Sequence, residues 1–162
     1  MNPLIVVGSA PCTQEDLASL PPMEADYMLI GLDSVEKYLG HVQYMATHHP
    51  AEIQQTTERR RKAGGNTDWR TISHEKRPGV DIVTPLNGKP SGSSAMLGIL
   101  TALKLGYNRI ICCGCPLTGD KKYESFHRGW TSRLDLIKDN VRSCSGWTRD
   151  LIGEPTEEWL NG

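Results

Sequence analysis

The sequence predicts one α/β domain of three layers around a mostly parallel sheet, and three observations carry that expectation. Short apolar runs alternate with polar or helical stretches along the chain, as βαβ units require. The first run, Leu4-Ile5-Val6-Val7, stops at the small-residue turn Gly8-Ser9-Ala10-Pro11, the way nucleotide-binding α/β domains open. A later run, Arg109-Ile110-Ile111-Cys112-Cys113-Gly114, is apolar at successive positions, as in a central strand covered on both faces.

The elements follow in order. After the first strand, Cys12-Thr13-Gln14-Glu15-Asp16-Leu17 reads as a first helical turn, with Thr13 as N-cap and Asp16 completing a capping box. Residues 25–31 give a second strand, after which Asp33 or Ser34 caps a helix over 35–39. A third strand over 42–47 ends at His48-His49-Pro50, and a helix runs from about Ala51 to Lys62. Ala63-Gly64-Gly65-Asn66 breaks the pattern before short strands at 69–73 and 80–83, and a Pro/Gly/Asn loop covers 85–92. The next helix is capped by Ser91 or Ser93, is apolar on a broad surface from Ala95 to Leu105, and stops at Gly106. Beyond the 109–114 strand, residues 116–130 read as a long connection suited to a lid, since long ordered loops tend to be functional. An amphipathic helix over 132–138, a last strand over 141–145, a short helix over 148–151 and a final turn packed through Trp159 complete the chain.

The length of 162 residues suits a single domain over 1–162, enough to bury about two-thirds of the unfolded surface. With 18 basic and 19 acidic residues the net charge is −1, which argues against nucleic acid or an acidic membrane as partner. The basic cluster Arg59-Arg60-Arg61-Lys62 reads mainly as a solvated helix end, with a phosphate contact as the alternative. No stretch reaches the ~20 apolar residues of a membrane span and the start lacks a signal peptide pattern, so a cytoplasmic protein is expected. Five cysteines, three of them in or beside the 109–114 run, read as small core residues rather than a disulfide framework. Cys113-Gly114-Cys115 is too tight for a zinc knuckle, and no structural metal is assigned.

In an open α/β sheet, ligands bind beyond the carboxyl ends of the strands. The expected site therefore draws on Gly8-Ser9-Ala10, Leu32-Asp33-Ser34, Thr47-His48-His49, Ser91-Gly92-Ser93-Ser94 and Gly114-Cys115-Pro116-Leu117. A helix after Gly8, Ser9 and Ala10 aims free N–H groups at an anion. Lys89-Pro90-Ser91-Gly92-Ser93-Ser94 makes a second phosphate cradle, though without the Gly-Lys-Ser/Thr of a P-loop. Asp33 serves either as a ribose acceptor or as a plain N-cap. Of His48 and His49 one faces the ligand, because adjacent strand residues alternate sides, and it is a candidate acid or base. Tyr123-Glu124-Ser125-Phe126-His127-Arg128 joins a ring, a carboxylate, an imidazole and a guanidinium that can close over a nucleotide and stabilise a leaving phosphate.

The opening Val7-Gly8-Ser9-Ala10-Pro11, the block Ser91-Gly92-Ser93-Ser94-Ala95 running into Ala102-Leu103-Lys104-Leu105-Gly106-Tyr107, and the strand with Ile110 and Gly114 resemble a group of Rossmann-like enzymes. The group holds the bacterial sialyltransferases that use CMP-sialic acid and the archaeal hydroxymethyl-dihydropterin pyrophosphokinases. The resemblance covers residues 4–11 and 89–123, and a chain of this size is similar to small phage or prophage-encoded relatives. It implies nucleotide contacts at Gly8, Ser9, Ser91, Gly92 and Ser93, with Tyr123 as the counterpart of phosphate-binding tyrosines. Two positions depart from the sialyltransferases: 141–146 holds no catalytic histidine, and Asp33-Ser34 stands where they present an asparagine.

The leading expectation is a small nucleotide-dependent transferase, either nucleotide-sugar or diphosphate transferring. It would bind a nucleotide or nucleotide sugar of CMP type between the Gly8 and Gly92 loops, with His48, His49 or His127 as base and Arg128 on the leaving phosphate. The alternative is a non-catalytic module that senses or sequesters a nucleotide. An NAD-dependent oxidoreductase is disfavoured because Gly8-Ser9-Ala10-Pro11 lacks the second and third glycines of that fingerprint. Asp33, Asp81 or Glu124 offer oxygen to Mg²⁺, although no spacing demands it.

Overall fold

Leu4–Val7 (β1) exposes almost nothing, and its alternation divides it between two cores: Leu4 and Val6 face one side, Ile5 and Val7 the other. That double burial places β1 in the middle of a sheet. The computed structural model describes residues 1–86 and 90–162, so Lys89 of the expected second cradle lies outside the described residues. Its strands are β1, Asp26–Ile30 (β2), Tyr44–Ala46 (β3), Arg70–Ser73 (β4), Ile82–Val83 (β5), Ile110–Cys113 (β6) and Val141–Ser143 (β7). They form one sheet in the order β5-β4-β3-β2-β1-β6-β7, and every pairing is parallel. Chain direction across the sheet reverses between β1 and β6, where Val7 stands opposite Cys113.

The helices are Thr13–Ser19 (α1), Ile53–Lys62 (α2), Ser94–Lys104 (α3), Glu124–Thr131 (α4), Leu134–Ile137 (α5), Gly146–Ile152 (α6) and Glu157–Asn161 (α7). Leu17 of α1, Ile53 of α2 and Trp159 of α7 cover the face with Ile5, Val7 and Leu29. The other face, with Leu4, Val6 and Met28, lies under α3, Trp130 of α4, Ile137 of α5 and Ile152 of α6. The result is a Rossmann-like α/β domain with helices on both sides of a seven-stranded parallel sheet. Met96, Leu97 and Ile99 of α3 are fully buried, each stabilising by about 1.5–3 kcal/mol. At Gly98 a Cβ would stand 2.5 Å from Met28 Sδ, so the glycine lets α3 lie close on the sheet. Because α3 carries the crossover from β5 back to β6, its N-terminus emerges at the carboxyl edge of the strands. Among the described residues no helix is long and apolar enough to cross a membrane.

Several local expectations are corrected. Thr13 is not the N-cap of α1: Cys12 holds that position, and the Thr13 hydroxyl donates to the Ala10 carbonyl at 2.7 Å. Asp16 caps nothing either, since its carboxylate accepts the Gly114 N–H at 2.8 Å and the Ser145 hydroxyl at 2.7 Å. No helix spans 35–39; a 3₁₀ turn over Leu32–Ser34 precedes irregular chain. The cause is Arg60, which is 0% exposed and donates to the carbonyls of Val35, Tyr38, Gly40 and Asn66. Backbone acceptors that a helix would have satisfied internally are thus satisfied by one guanidinium, and the reading of Arg59–Lys62 as a solvated end fails at its second residue. The long connection 116–130 is largely ordered helix, with a 3₁₀ turn at Lys121–Tyr123 leading into α4. The helix expected over 132–138 shrinks to the single turn of α5.

Candidate functional site

A cavity of about 760 Å³ runs along the carboxyl ends of the strands, within the range of small-molecule sites. Its lining follows the sheet order: His74 beyond β4, His48 and His49 beyond β3, Ile30 at the end of β2, Ser9-Ala10-Pro11 beyond β1, and residues 114–118 beyond β6. With parallel strands ~4.8 Å apart, β4 to β6 spans ~19 Å, room for a ligand with two distinct ends. Ser91, Ser93, Ser94 and Ala95 close the cavity from the start of α3, and Tyr123 and Phe126 line it from the region of α4.

The two expected cradles are built differently. Gly8 acts on its neighbour rather than on the cavity: a Cβ there would stand 2.1 Å from the Gly114 carbonyl oxygen. The converse holds at Gly114, where φ is +72° and a Cβ would lie 2.0 Å from Thr13 Oγ1. The pair lets the β1 and β6 loops touch, and Asp16 ties them through the Gly114 N–H, leaving Ser9 and Ala10 toward the cavity.

The start of α3 is held from behind. Trp130 donates its indole N–H to the Gly92 carbonyl at 2.6 Å, and the buried Arg133 donates to the Pro90 carbonyl at 2.5 Å. Gly129 allows this approach, since a Cβ there would fall 2.3 Å from the Gly92 nitrogen. Among the described residues Arg133 has no carboxylate partner, so its positive charge stands uncompensated behind the loop. Gly92 itself turns at φ +77° against Met96 and Trp130, and does not line the cavity. Ser93, at φ 95° and ψ 172°, occupies a conformation almost reserved for glycine. Its hydroxyl is buried, the residue being 9% exposed, and has no hydrogen-bond partner among the described residues.

Beyond β3, the two histidines separate. His48 is half-buried, with Nε2 2.8 Å from the Ser93 carbonyl and its backbone N–H donating to Ser94 Oγ at 3.2 Å. A carbonyl can only accept, so Nε2 carries the proton and Nδ1 is left as an acceptor. Burial pushes this imidazole below its ordinary range; the Ser93 bond opposes that, and the nearby His74, His49 and Arg133 reinforce it. The structure brings both His48 and His49 to the cavity, with His49 the more exposed.

Among the other sequence candidates, Ser9, Ala10, Ser91, Ser93 and Tyr123 line the cavity, while Asp33, His127 and Arg128 do not. Asp33 is exposed and pairs with Arg59 at 3.1 Å. His127 stacks on Trp147 with ring centroids 3.8 Å apart and bonds the Leu117 carbonyl through Nε2 at 2.5 Å. It braces the 114–118 loop, which Thr148 also holds through a 2.7 Å bond to the Cys115 carbonyl. Arg128 lies exposed on α4. Asp81, bonded to the Thr71 N–H at 2.9 Å, and Glu124 also stand outside the lining, which contains no carboxylate. Among the described residues no three His, Cys, Asp or Glu side chains cluster as metal ligands.

Cys115, expected with the 114–117 strand end, lines the cavity, whereas His74, Ile30 and Thr118 were not singled out as ligand contacts from the sequence. The strand-end rule finds His74 once it is applied to the 69–73 strand, which ends without a glycine or proline to mark it.

No family model matches the chain, and no curated protein matches it in sequence. Among the solved structures that match it in fold are two of the sialyltransferase CstII from Campylobacter jejuni. One, in complex with the substrate analogue cytidine-5'-monophosphate, has a TM-score of 0.65 and 12% identity, covering 100% of this chain and 88% of that one. The other, in complex with CMP-3FNeuAc, has a TM-score of 0.66 and 11% identity, with the same coverage. At such identities the likeness is one of fold.

Proposed function

We propose that the chain is a small nucleotide-dependent transferase that binds a nucleotide or nucleotide sugar of CMP type along this cavity. Ser93 carries the reading. A buried hydroxyl without a partner, on a strained non-glycine residue at the N-terminus of an eleven-residue helix, is arranged to meet a charged acceptor, and a phosphate meets it together with the free N–H groups of α3. The uncompensated Arg133 adds a positive field behind the same loop. Ser9 and Ala10, at the β1/β6 reversal, take the nucleoside end, as expected where strand order switches. Ser91 and Tyr123 complete the phosphate contacts, while Gly8 and Gly92 shape their loops.

The fold shared with a sialyltransferase solved with CMP and with a CMP-sugar analogue supports the choice of nucleotide. Imidazoles in the lining favour transfer over simple sequestration, because they place proton acceptors beside the phosphate position. Asp33, His127 and Arg128 take no part in this reading. With no carboxylate in the lining, Mg²⁺ would enter as a companion of the phosphate oxygens.

Calorimetric titration with CMP, CDP, AMP and NAD tests the proposal. CMP or CDP should bind, and Ser93→Ala should weaken binding at least tenfold. A chain that binds none of them at millimolar concentration overturns it.

A further inference from the structure

His74 lies just beyond β4, and its role here rests on the transferase reading above. Three histidines line the cavity, and their surroundings differ. His48 is committed to Ser93 through Nε2 and acts as a positioning residue for the strained loop. His49 is exposed, and among the described residues nothing fixes its ring. His74 is half-buried, with its ring centroid 5.5 Å from that of His48 and its Nδ1 3.5 Å from Ser73 Oγ. The Ser73 hydroxyl already donates to the Thr47 carbonyl at 2.7 Å, so toward His74 it can only accept. Nδ1 of His74 therefore carries the ring proton. The lone pair is left on Nε2, which has no partner among the described residues.

Position supplies the second half of the argument. The Ser93 hydroxyl marks the phosphate, and His48 and His74 lie at the β3 and β4 ends, away from the β1/β6 reversal that takes the nucleoside. A donor laid along the cavity thus presents its transferred group to the histidine end.

We infer that His74 is the general base of the transfer, oriented by Ser73 and Thr47, and that the acceptor is a hydroxyl compound bound at the β3/β4 end of the cavity. The acceptor oxygen forms its bond to the anomeric carbon of the donor sugar as its proton passes to His74 Nε2. The bond from that carbon to the phosphate oxygen breaks, and its electron pair leaves on the nucleoside monophosphate. Water can stand in as acceptor, releasing the same monophosphate and the free sugar. Of the ionisable groups at this end, His48 interacts electrostatically with His74, His49 and Arg133, and Glu75, next to His74 in the chain, is paired with Arg77 at 3.1 Å.

Two measurements test this. Nitrogen-15 NMR of the wild-type imidazoles, which needs no donor, should show neutral His74 as the Nδ1–H tautomer; the Nε2–H tautomer overturns the assignment. The second follows CMP binding, and CMP release from CMP-N-acetylneuraminate between pH 5 and 9, in wild type and His74→Gln. The variant should keep its CMP affinity within about twofold, lose kcat by about 10²–10⁴-fold and lose the acid limb of its pH profile. A variant that keeps kcat within threefold, or loses CMP affinity in proportion, overturns the role of His74 while the nucleotide reading stands. So does a wild-type chain that binds CMP but releases none from the CMP-sugar. A wild-type chain that binds no CMP fails at the earlier step.

Discussion

Replacing Ser93 by glycine should make the protein more stable and bind nucleotide less well. Ser93 sits at φ 95° and ψ 172°, a region that costs a side-chain-bearing residue about 1–3 kcal/mol. Its buried hydroxyl lacks a partner among the described residues, adding about 1–3 kcal/mol. Glycine relieves both, against a gain in unfolded-chain entropy of about 0.4–1 kcal/mol. The balance is a stabilisation of about 1–5 kcal/mol, and at roughly 2–4 °C per kcal/mol in a chain of this size Tm should rise by about 2–20 °C. The lost hydroxyl is the proposed donor to phosphate, a charged hydrogen bond of about 1.5–3 kcal/mol, so the Kd for CMP should rise about 10- to 150-fold. Ser93→Ala separates the two effects: it should lose the same affinity with a smaller rise in Tm, because its backbone stays strained. Scanning calorimetry and CMP titration read both. If Ser93→Gly melts no higher than wild type and binds CMP equally well, Ser93 neither stores strain nor meets a ligand.

Other expectations follow from named contacts. Arg60→Met leaves the carbonyls of Val35, Tyr38, Gly40 and Asn66 without their donor, and urea unfolding should show a loss of about 3–5 kcal/mol. Gly8→Ala drives a Cβ to 2.1 Å from the Gly114 carbonyl oxygen, so it should lower Tm and weaken CMP binding together; an unchanged Tm would falsify the close approach of the two loops. Stability should also fall at both ends of the pH range. Burial keeps His48 neutral at a pH where a free imidazole takes a proton, so below about pH 6.5 the unfolded chain binds more protons and stability declines as pH falls. Burial pushes Tyr27 up to about 12 and raises Tyr107 as well, the latter helped by its bond to Asp26. Above about pH 10 the unfolded chain therefore sheds protons that the fold retains, and stability drops again. Unfolding free energies that stay flat from pH 8 down to pH 5 would remove His48 from this account.

What the sequence disclosed depended on whether a signal was local. The central sheet was legible because Leu4–Val7 and Ile110–Cys113 are apolar runs ended by turn-forming residues, and parallel pairing follows from the helices between strands. Strand ends also pointed to the cavity, since Ser9, His48 and Ser93, which line it, each follow a run or open a helix. The misreadings share a cause. Thr13 and Asp16 match a capping box in spacing, but a carboxylate at that place can also reach across to Gly114 and Ser145, and no local pattern distinguishes the two. Arg60 stands among three other cations and looks solvated, yet the carbonyls that bury it lie twenty or more residues away, at Val35, Tyr38 and Gly40. The 116–130 segment has helix-compatible residues from Glu124 onward. What ties its far end to the start of α3 is the fit of Gly129 and Trp130 against Gly92, which sequence spacing does not show.

The placement of strain argues for the same site independently of the resemblance. Among the described residues two non-glycine residues take positive φ, Ser93 at 95° and Leu117 at 49°, and both line the cavity. Each is over-determined by its neighbours. The Ser93 carbonyl is fixed by His48, and Gly92 beside it by Trp130. The Leu117 carbonyl is fixed by His127, whose ring is itself pinned on Trp147. A fold under no demand at this edge would relax both residues, because glycine at either position removes the cost. Retaining side chains there, on loops held from behind by Trp130, Arg133 and His127, is what a pre-shaped ligand site requires. The supports also differ along the sheet: the loops at the β1/β6 reversal are tied to one another, whereas Nε2 of His74 at the β4 end has no hydrogen-bond partner among the described residues.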